Sequence, residues 1–143
     1  MYAALRAVAT PDEVVGRLFH AASLLREHRG DGHTAALMIE HVGGLDAHVL
    51  LALDMGIPPA RFGRIHHLPP TQLAAVIDAL HDRDLIGDDG WLSERGRTVK
   101  RRVEAITDDL AAAPYEVLEL GELDELMATL EPLAALLLAA QPW

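Results

Sequence analysis

The sequence contains no cysteine. That excludes a disulfide framework and thiolate chemistry, and it makes a reducing cytoplasm the expected compartment. Aromatic residues are almost as scarce, six of 143, while Ala and Leu dominate the hydrophobic half of the chain. Such a composition belongs to packed helices rather than to a sheet. Long apolar runs are missing too: the longest, Leu133–Ala140, is far shorter than a membrane span. Residues 1–9 carry one basic side chain, Arg6, and lack the apolar core of a secretion signal. The expectation is a soluble, cytoplasmic chain with no membrane partner, forming a single domain over residues 1–143.

Cations are in short supply. Lys and Arg number 12 against 22 Asp and Glu, for a net charge of −10, which opposes indiscriminate binding to nucleic acid or anionic membrane. Residues 1–30 carry a net +1, residues 31–94 a net −7 and residues 95–143 a net −4. The middle of the chain is the most acidic part. Catalytic signatures are absent as well: there is no Ser-His-Asp order, no phosphate-binding glycine loop and no paired catalytic carboxylates. Glu40, Asp46, Asp108 and Asp109 read as helix-surface acids.

Acid–base capacity is concentrated in one stretch, Leu24–Leu37, which reads LLREHRGDGHTAAL. Two readings of it stand side by side. In the first it is a tight helix–helix corner, with Gly30 in the left-handed position that ends one helix and Asp31 capping the next. In the second it is a polar ligand pocket at a helix junction, lined by Arg26, Glu27, His28, Arg29, Asp31 and His33. There His33, near a helix start, would stay neutral and act as a base, and His28, near a helix end, would be favoured as a cation. Arg26 or Arg29 would clamp a carboxylate and Asp31 would orient an imidazole. If the protein is an enzyme, His28, Asp31 and His33 are its catalytic candidates. No metal site or cofactor is expected, because the eight histidines show no ligand spacing such as His-Glu-x-x-His. Lone histidines such as His20, His41, His48 and His81 read as surface or core residues.

Periodicity organises the rest. Tyr2–Val8 makes helical turns. Thr10-Pro11-Asp12-Glu13 reads as a helix start, with Thr10 the cap, Pro11 the first helical residue and Glu13 closing a capping box. Val14, Val15, Leu18, Phe19, Ala22 and Leu25 then recur at helical spacing up to Gly30. Further helices are expected over about Gly32–His41, over Leu45–Met55 (apolar nearly all round), briefly over Ala60–His67, and over Thr71–Asp84. Leu85-Ile86 and Trp91-Leu92 flank Gly87-Asp88-Asp89-Gly90, a hairpin signal, with Trp91 as a core anchor. Ser93 caps a helix that halts near Pro114, and a last helix spans about Glu122–Ala140, bent at Pro132. Its broad apolar face needs a partner: the first helix, or another subunit.

Three helices followed by a two-stranded wing is the order of a winged helix-turn-helix. The run LAAVIDALHDRDLIGDDGWLSERGR, Leu73–Arg97, resembles the MarR-type version of that fold. There a helix ends in a phrase built on arginine-glycine-leucine and the next opens on leucine-threonine-x-x-glycine. Here these phrases read Leu80-His81-Asp82-Arg83-Asp84-Leu85 and Leu92-Ser93-Glu94-Arg95-Gly96, so Asp84 stands for the usual glycine and Ser93 for the threonine. LLREHRGDGHTAAL is similar to the signature of an actinobacterial branch of MarR-like proteins, whose longer members carry a further helical region ahead of it. Where that branch has an arginine-glycine-tryptophan phrase, this chain has His66-His67-Leu68.

The resemblance implies a mainly α, MarR-like winged helix with one short β-hairpin wing. Residues 31–97 would form the helix-turn-helix and wing, and residues 1–30 and 115–143 long dimerisation helices. It also implies a homodimeric, ligand-responsive transcription regulator bound to double-stranded DNA. Candidate DNA contacts are Arg61, Arg64, Thr71, Gln72, Arg83, Arg95 and Arg97. Charge argues the other way. The recognition helix candidate carries Asp78 and Asp82, and the wing tip carries Asp88 and Asp89 where minor-groove insertion requires cations. Lys100, Arg101 and Arg102 complete a basic cluster with Arg95 and Arg97 that balances the acidic middle. The alternative is therefore a winged-helix scaffold repurposed to bind or transform a small molecule around REHRGDGH. A third reading is a protein–protein adaptor that uses the last helix.

Overall fold

The computed structural model describes residues 1–140. The chain divides into two compact units, one over Met1–Ala111 and one from residue 112 onward. The first holds α1 (Tyr2–Arg6), α2 (Val14–Ile39), α3 (Gly44–Asp54), a 3₁₀ turn (Pro59–Arg61), α4 (Pro70–Asp82) and α5 (Glu94–Ala111). The second is built on α6 (Leu120–Ala139).

The largest departure from expectation is α2. It runs unbroken for 26 residues through the predicted corner, so Gly30 neither adopts a positive φ nor ends a helix. Two interior glycines cost about 1 kcal/mol each in helix propensity, and packing against α5 offsets this. A Cβ at Gly32 would lie 3.1 Å from the Leu110 Cβ, so the glycine lets the two helices approach closely. Ala36 and Thr107, both fully buried, continue the same seam beside Val103. The true end of α2 comes eleven residues later. His41 turns left-handed at φ +55°, and the Val42 N–H reaches back to the Leu37 carbonyl at 2.8 Å.

The start of α2 is also later than its local signals suggest. The N-cap is Glu13 rather than Thr10, and no side chain caps the helix. The reason is tertiary. α1 packs on α2, so the residues between must reverse direction, and Pro11 folds back against Gly16, where a Cβ would come within 2.8 Å of its ring.

The core sits between α3, α4 and the segment after α4. Val49, Leu50, Leu53, Ile65, Leu73, Leu80, Leu85, Ile86 and Leu92 form one buried cluster, and each large side chain contributes about 2 kcal/mol by leaving water. Pro70 opens α4 as its first helical residue, where its missing N–H is harmless. The short helix expected over Ala60–His67 shrinks to the 3₁₀ turn. α4 ends like α2. Asp84 is left-handed at φ +57° and the Leu85 N–H returns to the Leu80 carbonyl at 2.9 Å. That conformation explains why the resembling phrase has glycine there.

The β-hairpin wing does not form. Among the described residues there is no strand, only an isolated antiparallel bridge between Ile86 and Leu92. The Asp-Gly signal does make a tight turn, with Gly90 at φ +79°. Inside it, however, the Asp89 carboxylate accepts the Trp91 N–H at 3.0 Å. One step beyond the bridge, Ser93 is already engaged as the cap of α5, its Oγ accepting the Gly96 N–H at 2.9 Å. No residues remain to extend a ladder. Trp91 is 41% exposed rather than a core anchor.

In the second unit, α6 opens with Glu119 and Glu122, the Glu122 carboxylate accepting the Glu119 N–H at 3.0 Å. Pro132 lies inside it, and none of its residues is buried. The last three residues of the expected dimerisation segment 115–143 lie outside the described residues. Among the described residues no single helix is long and apolar enough to cross a membrane.

Candidate ligand cavity and nucleic-acid interface

Because α2 is continuous, the REHRGDGH side chains fan out around it at 100° per residue instead of converging. Arg29 and His33, four residues apart, face α5. Arg29 bonds Asp108 at 2.9 Å and Glu104 at 3.3 Å, and His33 Nδ1 lies 3.0 Å from Thr107 Oγ1. The Thr107 hydroxyl donates to the Val103 carbonyl at 2.7 Å. Its oxygen therefore accepts from His33, which fixes the His33 proton on Nδ1 and leaves Nε2 as an acceptor when the ring is neutral.

His28 and Asp31 face α1 instead. Tyr2 stacks on His28 with centroids 5.0 Å apart. The Asp31 carboxylate accepts from the Met1 ammonium and from the Tyr2 N–H at 3.1 Å. These two bonds, the ammonium's first, hold its pKa below the usual carboxylate range. Arg26 pairs with the neighbouring Glu27. Four of the six side chains are therefore divided between two helix faces, and the premise of helix ends beside His28 and His33 is gone. Among the described residues no three His, Asp or Glu side chains converge as a metal site requires.

One of the six, His33, does line a cavity of about 220 Å³ between α2, α3 and α5. Its walls are apolar: Leu37, Val42, Leu50, Leu51, Val99 and Val103. Polar groups at its edge are His48, Arg64, Lys100 and Glu104. Lys100 is balanced, 3.1 Å from Asp54 and 3.9 Å from Glu104. Among the described residues Arg64 pairs with no carboxylate. Burial first, and the Arg64 charge second, keep His48 below the ordinary histidine value and thus neutral near pH 7. Sequence reasoning placed His48 among the bland histidines. The signal available was a polar residue in a helix otherwise apolar on nearly every side.

Two of the expected DNA contacts, Arg83 and Arg97, are otherwise engaged. Arg83 bridges α4 to the start of α3 and the end of α2, donating to Asp46 at 3.0 Å and to the His41 carbonyl at 2.7 Å. Asp46 also accepts the Gly43 N–H at 3.1 Å, so one carboxylate joins three segments. Arg97 donates to the Leu92 carbonyl at 2.6 Å and pairs with Glu94. Together with Arg101 it holds the Glu94 carboxyl below its usual range. Arg102 pairs with Glu40. Arg61, Arg64 and Arg95 are exposed and have no carboxylate partner among the described residues. Thr71 and Gln72 are exposed at the start of α4, as are Asp78, His81 and Asp82 farther along it.

A family model described as a helix-turn-helix family matches residues 1–142. No curated protein and no solved structure is significantly similar to the chain.

Proposed function

Since this chain belongs to that helix-turn-helix family, we propose that it is a ligand-responsive transcription regulator of the MarR-like kind. It works as a homodimer and reads duplex DNA through α4 without a wing. The observation that supports this most is the exposure of Arg61, Arg64 and Arg95, which have no carboxylate partner among the described residues, together with that of Thr71 and Gln72 at the start of α4. Phosphate contact needs such uncommitted cations, and a helix N-terminus offers its donors to the groove. The dimer reading draws on exposed apolar faces within each unit: Val14, Val15, Leu18 and Phe19 on α2, and Leu126, Met127, Leu130 and Leu133 on α6.

The test is fluorescence anisotropy with labelled duplex from the protein's own promoter region, at low and moderate salt. Six phosphate contacts per dimer give a slope of log K against log salt of about −5. Arg95→Gln should flatten that slope by about 2 per dimer. Absence of binding at low salt removes the regulator reading.

A second reading is supported by the outward acids Asp78 and Asp82 on α4 and by the engagement of Arg83 and Arg97. In it the helix-turn-helix framework binds or transforms a small molecule instead of DNA. Its site is then the α2–α3–α5 cavity, with His33, rather than the whole REHRGDGH stretch.

A further inference from the structure

We propose that Asp78 is a base-reading residue of α4, and that its carboxylate specifies a cytosine in each half-site of the duplex. This rests on the regulator reading and names the sequence feature that the regulator would select.

The core face of α4 is formed by Leu73 and Leu80, with Val76 and Ile77 packed beside them. At 100° per residue the opposite face carries Thr71, Ala75, Asp78 and Asp82, and all four are exposed. The acids on that stripe do nothing for the helix. Asp78 and Asp82 stand four residues apart, where like charges repel, and Asp82 ends α4, where the helix dipole disfavours an anion. Asp46 and Asp88, by contrast, bond Arg83 and His81. Asp78 and Asp82 pair with no cation among the described residues. Residues that weaken a helix without compensation inside the fold mark a surface kept for another purpose.

Reach and chemistry then separate the two acids. From Thr71 to Asp78 the helix rises about 10 Å, or about three base-pair steps. Ala75 between them has no bulk to hold α4 off the groove floor, so a side chain as short as aspartate reaches a base edge. A carboxylate only accepts hydrogen bonds. In the major groove guanine and thymine offer it acceptors, adenine an acceptor beside its amino group, and cytosine the N4 donor alone. Cytosine is therefore the base that Asp78 admits. Asp82 lies a further turn along, where the helix leaves the groove, and acts on the backbone charge alone.

The test is selection by the full chain from a pool of duplexes with a randomised core, with the bound fraction sequenced, for the unchanged chain, Asp78→Asn and Asp82→Asn. Both positions are exposed and unpaired among the described residues, so neither change removes a contact within the fold. The unchanged chain should enrich one cytosine position per half-site, and replacing that cytosine should weaken binding about 5- to 100-fold by anisotropy. Asp78→Asn should exchange the cytosine preference for adenine, whose N6 and N7 an amide bonds together, with the other positions unchanged. Asp82→Asn should keep the cytosine and bind all duplexes more tightly, because one repulsion of phosphate is gone. Selective binding without a cytosine position, or a cytosine preference that survives Asp78→Asn, overturns the assignment and leaves the regulator. No enrichment of any duplex by any of the three proteins overturns both.

Discussion

Gly30→Ala separates the continuous helix from the corner by the sign of its effect. Gly30 sits in the interior of α2, is exposed, and has nothing within 4 Å of where a Cβ would go. No packing penalty then opposes the change, and the helix-propensity difference of about 1 kcal/mol should appear as added stability. For a urea m-value of about 2 kcal/mol/M, the midpoint rises by about 0.5 M, and the melting temperature of a chain this long rises by about 3–4 °C. If Gly30 were instead the left-handed residue of a corner, alanine would cost about 1 kcal/mol and the midpoint would fall. Circular dichroism at 222 nm during urea unfolding reads the difference. Gly32→Ala is the internal comparison: the same propensity gain is opposed by the Leu110 Cβ at 3.1 Å, so its gain should be smaller. A lowered midpoint in Gly30→Ala refutes the unbroken helix and the division of REHRGDGH between two faces.

Asp84→Gly should stabilise by about 0.5–1 kcal/mol, because glycine enters the left-handed conformation at φ +57° without a steric penalty; an unchanged urea midpoint would count against that turn. Gly96→Ala should destabilise by about 3 kcal/mol, since its Cβ would overlap the Leu85 carbonyl oxygen, a backbone atom that cannot swing away; a midpoint shift under 0.3 M would show that α5 does not pack so closely. The His48 imidazole should titrate by NMR below its ordinary 6.5, and Arg64→Gln should move the midpoint upward. With the folded-state value depressed, the contribution of His48 to stability is full above about pH 6.5 and is lost as pH falls toward the lower folded value. His48→Gln should remove that part of the pH slope.

Features set by neighbours in sequence were legible in it. Ser93 as the cap of α5, the span of α4 and the turn at Gly87–Gly90 all follow from residues within a few positions of one another. The two misplaced helix boundaries share one cause, packing against another helix that local signals do not report. Gly30 and Gly32 carry the local mark of a helix end, yet what keeps them helical is Leu110 and Thr107, more than 70 residues away. Thr10-Pro11 carries the mark of a helix start, but α1 forces the chain to reverse there. The hairpin signal at Asp89-Gly90 was genuine as a turn and misleading as a wing: the Gly87 and Ser93 N–H groups close a single bridge, the Asp89 carboxylate takes the Trp91 N–H, and α5 begins directly after Ser93. At the candidate site the unbroken α2 separates the REHRGDGH side chains that a corner would have brought together. Only His33 reaches the cavity, while His48 and Arg64 come to it from α3 and the segment beyond.

The α2–α5 seam also bears on the order of folding. Its polar contacts, Arg29 with Glu104 and Asp108 and His33 with Thr107, join residues 74 to 79 positions apart, whereas the Asp46–Arg83 contact between α3 and α4 spans 37. Doubling a loop adds about 0.6 kcal/mol of closure entropy, so the α3–α4 core is the cheaper nucleus and the seam closes after it. Stopped-flow traces of Thr107→Val should then show faster unfolding with nearly unchanged refolding. The cavity lies along this late seam, so a molecule held there would act mainly by slowing the rate at which α2 and α5 part.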